Sequence, residues 1–183
     1  MGSIIFLGFF VSIQEEDIIK IKNDFSFIRY NWVNPNNYHI TLKYLGYKNN
    51  EEIKKIKNYF SDFLKKDLSN IESEKLELNS LNFFEFKNKP RVLYIDIKNF
   101  SILNKLKNEI EQILQKNKIT TPKDYKKFNP HLTLCRIKEN IDINTFKEKI
   151  KKYENHTFGK INKIELKILK SKYENNKVTY VEV

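Results

Sequence analysis

The chain holds one cysteine, Cys135, among 183 residues. No disulfide can close within it, and a reducing compartment fits. Histidine is nearly as scarce: His39, His131 and His156 are the only three. Scattered this way, with a single cysteine, they do not make a metal-ligand pattern, so neither a metal nor another cofactor is expected. Four glycines are too few for a glycine-rich phosphate loop, and no serine sits in a nucleophile elbow. The apolar opening run, Ile4 to Val11, is too short to span a bilayer. It also lacks the basic stretch and cleavage site of a signal peptide. Phe6 stands where a myristoylation signal needs Ser or Thr. A buried first strand in a cytoplasmic protein, with no membrane partner, is the expectation.

What is abundant is positive charge: 34 Lys and Arg against 23 Asp and Glu, a formal net charge of +11. That balance favours a polyanionic partner, most simply nucleic acid. Against it, Lys, Asn and Ile are all plentiful, as in a compositionally biased genome, and many lysines then serve only as solvated helix faces. Hydrophobic residues at 40% and aromatics at 14% suffice for one core. With no stretch resembling a linker, residues 1–183 read as a single domain.

Periodicity divides the chain into two similar halves. Ile4 to Val11 reads as a strand. Ser12-Ile13-Gln14-Glu15 has capping-box form and opens a helix with Ile18, Ile19, Ile21 and Phe25 on its apolar side. Tyr38 to Leu45 reads as a strand ended by Gly46, and Glu51 to Leu68 as a helix. Lys75 to Phe86 is strand-like. The order then recurs: strand Arg91 to Ile97, a helix capped by Ser101, strand His131 to Ile137 and helix Asp142 to Tyr153. A closing hairpin from Ile161 to Leu169 and Val178 to Val183 is expected, with Asn175-Asn176 near its turn. The repeat is one of pattern, and a pseudo-twofold packing would set the two halves facing each other across a groove.

Two of the three histidines fall in matching tetrapeptides, His39-Ile40-Thr41-Leu42 and His131-Leu132-Thr133-Leu134. In a strand, residues two apart share a face. His39 therefore goes with Thr41 and His131 with Thr133, while the aliphatic residues bury behind them. A lone His-x-Thr is a weak signal; two copies form a strong one. Two imidazoles can serve as complementary base and acid near neutral pH. That pairing suits in-line displacement at phosphorus, with the threonine hydroxyls on the non-bridging oxygens and no metal required. His156 has Phe158 where a threonine would stand, and reads as a surface or loop residue. Cys135 shares parity with His131 and Thr133, yet a small buried filler is the better reading.

The residues around the pairs carry a resemblance. Trp32-Val33, Pro35 and Asn37, followed by His39-Ile40-Thr41-Leu42-Lys43-Tyr44-Leu45-Gly46, resemble the first motif of the 2H phosphoesterase superfamily. The match is to its RNA 2′,3′-cyclic phosphodiesterases, also called 2′-5′ RNA ligase-like proteins. Phe128, Pro130-His131-Leu132-Thr133-Leu134 and Arg136 resemble the second motif. Pro90-Arg91-Val92-Leu93-Tyr94 and Lys170-Ser171-Lys172 through Tyr180 extend the similarity over nearly the whole chain. Ile4-Ile5 before Phe6, and Gly8 where Ala is usual, depart from the pattern.

The resemblance implies an α+β, bilobal fold with two antiparallel sheets flanking a groove. It implies metal-independent hydrolysis of a terminal 2′,3′-cyclic phosphate to a 2′-phosphomonoester. His39 would be the proton donor to the 3′ leaving oxygen and His131 the proton acceptor that activates water. Thr41, Thr133 and Arg136 would bind the phosphate. The implied partner is RNA with a 2′,3′-cyclic phosphate end, tRNA fragments among them, and the implied state is a monomer. Arg136 has the wrong parity for this role in a regular strand. It needs a twist, a bulge or a side chain curling over the edge, and otherwise is structural.

Lys43 shares the parity of His39 and reads as a group that depresses the pKa of that histidine or contacts the phosphate or RNA, or equally as a solvated lysine. Lys123, Tyr125, Lys126 and Lys127 form a basic, aromatic-bearing stretch before the second motif. They read as RNA contacts or as a solvated loop. Three functional classes remain open. One is the RNA-end phosphodiesterase. The second is a phosphodiesterase on 2′,5′-oligonucleotides or small cyclic nucleotide-derived phosphates. The third is a non-catalytic RNA- or nucleotide-binding module.

Overall fold

A computed structural model describes residues 2–29, 31–69, 75–123, 127–174 and 177–183. In chain order they form β1 (Gly2–Phe10), α1 (Glu15–Asp24), a 3₁₀ turn (Pro35–Asn37), β2 (His39–Asn49), α2 (Asn50–Leu64), β3 (Glu77–Phe86) and β4 (Lys89–Lys98). α3 (Ser101–Lys116), β5 (His131–Arg136), α4 (Ile143–Lys151), β6 (Thr157–Lys160), β7 (Lys167–Glu174) and β8 (Lys177–Glu182) follow.

The strands make one antiparallel sheet in the order β6-β3-β4-β5-β2-β1-β7-β8. Instead of two separate sheets, two four-stranded halves meet at a narrow seam. β2 and β5 pair only at Ile40 and Leu132. Beyond that point the edge of β5 is taken by residues 31–33: Val33 N donates to Leu134 O, and Arg136 N to Asn31 O. The half built on β2 and β1 is completed by β7 and β8, from the far end of the chain. The half built on β5 and β4 takes β3, from the first part of the sequence.

Helices cover one face. Ile21, Phe60, Leu106, Ile110 and Phe146 join Ile5, Leu7, Phe9, Ile40, Leu42, Leu132 and Leu134 in one core. Each such side chain contributes on the order of 1.5–3 kcal/mol over exposure. α2 starts with a true capping box: Asn49 Oδ1 accepts from Glu52 N, and Asn49 N donates to Glu52 Oε2. α4 starts on Asp142, which accepts from Thr145 N. Among the described residues no helix is long and apolar enough to cross a membrane.

Several boundaries differ from expectation. Gln14, not Ser12, is the N-cap of α1, without a side-chain bond, and Ile19 is exposed. Phe100 stands at the N-cap of α3, with Ser101 its first residue. β2 continues through Gly46, because a glycine at φ +81° lets the strand bulge there instead of stopping. β6 is too short to leave a periodic signal. The last hairpin pairs Lys167–Glu174 with Lys177–Glu182, later than expected. Its expected Asn175-Asn176 turn lies outside the described residues.

Candidate active site

His39 and His131 each stand at the first position of a strand, β2 and β5. Thr41 and Thr133 lie half-buried beside them, and Ile40 and Leu132 are fully buried on the opposite face. The period-2 reading of both motifs therefore holds. His39, Thr41, His131, Thr133 and Arg136 line one cavity of about 90 Å³ with Val33 and Tyr180. That space admits several waters or a phosphoryl group.

The two histidines are held alike. His39 Nδ1 lies 2.7 Å from the Asn37 carbonyl, and His131 Nδ1 lies 2.8 Å from the Asn129 carbonyl. A carbonyl only accepts, so both Nδ1 atoms carry a proton. That leaves each Nε2 to take or give one. Both anchors are main-chain carbonyls two residues before the histidine, and asparagine stands at that position in each motif, a match that the His-x-Thr pairs taken alone miss. The rings are also braced alike. Phe6 and Tyr180 lie 5.0 and 4.5 Å from His39; Phe84 and Tyr94 lie 5.0 and 5.1 Å from His131.

A bulge at the same place in each strand settles the parity of the residues beyond the threonine. Along β5, Tyr94 pairs with Thr133 and the next residue, Leu93, with Cys135, so Leu134 is an extra residue. The alternation reverses there. Cys135 turns into the core, fully buried, and Arg136 turns onto the face of His131 and into the cavity. Burial pushes the Cys135 thiol up to about 12, so it stays protonated and inert.

Along β2, Gly8 pairs with Thr41 and Leu7 with Lys43, leaving Leu42 as the extra residue. Lys43 therefore leaves the face of His39. It is buried, and its Nζ lies 2.9 Å from Glu111 Oε1 of α3, a carboxylate shared with Lys107 at 3.1 Å. The expected phosphate or RNA contact at Lys43 is replaced by an ion pair under the helix layer. Gly8 permits the β2 bulge, because a Cβ there would stand 2.3 Å from the Ile40 carbonyl oxygen.

The two halves differ in charge. Asp96 is the register partner of His131, and Asn82 Nδ2 donates to it at 3.0 Å. The matching partner of His39 is Phe10. Burial lowers the pKa of both histidines, against the opposing effect of the carbonyl bonds. Arg136 pushes both further down, the charge of His131 adds to this for His39, and Asp96 pulls His131 back up. Burial and Asp96 push the Tyr94 hydroxyl up to about 12, against a hydrogen bond from the Asn129 side chain. Tyr180, Tyr94, Phe84 and Asp96 come from strands remote in sequence, and nothing local marked them as neighbours of the histidines.

Of the remaining expected residues, the two that are described do not line this cavity. Lys123 and Lys127 are exposed and outside the cavity lining. Tyr125 and Lys126 lie outside the described residues. His156 has a structural place: its Nε2 is 3.2 Å from Asp17 Oδ1, and its ring packs on Phe158 at 4.5 Å. It ties α1 to the segment entering β6.

Comparison with known proteins gives a consistent picture. The chain is 34% identical over 168 residues to the RNA 2′,3′-cyclic phosphodiesterase of Aquifex aeolicus, covering 88% of this chain and 85% of that protein. It is 31% identical over 157 residues to the protein of the same name from Methanocaldococcus jannaschii, covering 86% and 84%. Among solved structures, TT0787 of Thermus thermophilus superimposes with a TM-score of 0.68 at 19% identity, covering 98% and 94%. E. coli LigT complexed with 3′-AMP gives 0.68 at 16% identity, covering 100% and 96%. The family profile of the AKAP7 2′5′ RNA ligase-like domain matches residues 10–181. With that match over almost its whole length, the chain belongs to the 2′5′ RNA ligase-like family of 2H phosphoesterases.

Proposed function

We propose that this protein hydrolyses the terminal 2′,3′-cyclic phosphate of RNA to a 2′-phosphomonoester, with two histidines and no metal. The observation that carries the reading is the convergence of two His-Thr pairs, each Nδ1 fixed by a carbonyl, on one cavity shared with Arg136. The names of the relatives in Aquifex aeolicus and Methanocaldococcus jannaschii support the same reaction.

In this reading His131 Nε2 takes a proton from water as the oxygen attacks phosphorus. The P–O3′ bond breaks on the opposite side, and His39 Nε2–H gives its proton to the departing 3′ oxygen. Thr41, Thr133 and Arg136 hold the non-bridging oxygens while negative charge grows on them. The bracing aromatic rings limit the orientations of both imidazoles. The matched bulges, carbonyl anchors and ring braces support a pseudo-twofold duplication within one catalytic domain. The same reading has the protein act as a cytoplasmic monomer, with tRNA fragments among its substrates.

The test is a defined oligonucleotide ending in a 2′,3′-cyclic phosphate, with the product resolved as 2′- or 3′-phosphate. The 2′-phosphate is expected, and His39→Ala or His131→Ala is expected to lower the rate on the order of 10²-fold or more. Turnover of both variants at the parent rate sinks the assignment. Binding without product by the parent protein favours a non-catalytic RNA module.

A further inference from the structure

The groove does not end at the phosphate cavity. Tyr180 lines that cavity and pairs across the hairpin with Ser171; two residues further out, Val178 pairs with Tyr173. Register is unbroken through these pairs, so Tyr173 and Val178 lie on the same face as Tyr180. Both are open to solvent, Tyr173 at 70% and Val178 at 42%. Two residues of strand put them about 7 Å beyond Tyr180. Tyr173 meets no other ring among the described residues, whereas Phe84 on the opposite flank is already stacked on Tyr94 at 4.3 Å.

The hairpin is tied to the reacting centre by one residue. Asn37 is buried, and its side-chain amide completes the free edge of β8 as a peptide group would. Asn37 Nδ2 donates to Val178 O at 2.7 Å, and Tyr180 N donates to Asn37 Oδ1 at 3.2 Å. The carbonyl of the same residue anchors His39. A buried side chain that accepts and donates in this way resists rotation, because either bond lost leaves a buried polar group unpaired.

We propose that the β7–β8 hairpin binds the terminal nucleobase, with the open face of Tyr173 and the side chain of Val178 as its stacking platform and Asn37 as the residue that positions it. This rests on the reaction proposed above. In that reaction His39 protonates the ribose 3′ oxygen, so the ribose lies on the His39 side and water on the His131 side. The neighbour of His39 in that direction is Tyr180, and the exposed side chains described beyond it on that face, Tyr173 and Val178, carry no charge. Such a surface suits the π-face of a base and does not suit a second phosphate.

The test compares adenosine 2′,3′-cyclic phosphate with ribose 2,3-cyclic phosphate, which lacks the base. The parent is expected to prefer the nucleotide, and Tyr173→Ala to lower the ratio of the two kcat/KM values about tenfold or more. Tyr173→Trp is expected to restore it. A ratio that Tyr173→Ala does not move overturns the platform, as does a parent with no preference. Failure of the reaction itself reads differently, as a parent inert on both substrates. In that event Kd values for adenosine 2′-phosphate and ribose 2-phosphate decide. A difference that Tyr173→Ala abolishes upholds the platform, and equal values overturn it.

Discussion

Arg136 supplies the sharpest test of the site, because it enters the cavity only through the extra residue Leu134. Among the described residues its guanidinium has no carboxylate within ion-pair distance, so its charge is free to act on an anion. Arg136→Gln removes that charge and keeps a polar side chain. A unit charge 4 Å from a phosphoryl oxygen is worth about 1 kcal/mol in water and about 4 kcal/mol at an effective dielectric of 20. The half-buried cavity lies between these limits, which places the loss in kcat/KM between about fivefold and about 10³-fold. A second signature comes with it. Arg136 lowers the pKa of both histidines, so its removal raises both. The bell-shaped pH profile of kcat/KM then moves to higher pH as a whole. The assay is hydrolysis of cytidine 2′,3′-cyclic phosphate from pH 5 to 9, with folding checked by circular dichroism. A folded variant with the parent rate and the parent profile refutes the argument, and Arg136 is then structural despite its place in the cavity.

Three further outcomes are expected. Gly8→Val drives a Cβ into the Ile40 carbonyl oxygen. Its displacement of Thr41 should appear as a loss of activity larger than the fall in Tm explains, measured by kinetics beside thermal melts. Tyr38 is buried with its hydroxyl unpartnered among the described residues, and burial pushes that hydroxyl up to about 12. Tyr38→Phe should therefore be neutral or stabilise by up to about 1 kcal/mol, read from urea midpoints; a destabilisation of that size contradicts the placement. Burial lowers the pKa of His39 and His131 below the unfolded value of about 6.5. The unfolded chain thus binds more protons, and stability falls as pH drops through that value towards the folded ones. Urea midpoints from pH 7 to 5 should decline, and the decline should shrink in a His39→Asn/His131→Asn variant.

The two His-x-Thr pairs, their faces and most of the helices were legible from residue order alone. Period 2 and period 3.6 are local properties, and each element can be read without knowing its partner. The sequence also carried the family resemblance, since its motifs are contiguous words. It could not determine which residues accompany the pairs into the groove. A bulge is a mismatch between two strands, so the extra residues Leu42 and Leu134 exist only relative to Gly8 and Leu7, or Tyr94 and Leu93. That mismatch alone sends Lys43 to Glu111, Cys135 to the core and Arg136 to the cavity. The joining of two halves into one sheet through a single pair is likewise a tertiary fact. So are the rings from β1, β3, β4 and β8 around the histidines, brought together by packing across long sequence separations. Pattern chose the two His-Thr pairs; strand pairing decided what surrounds them.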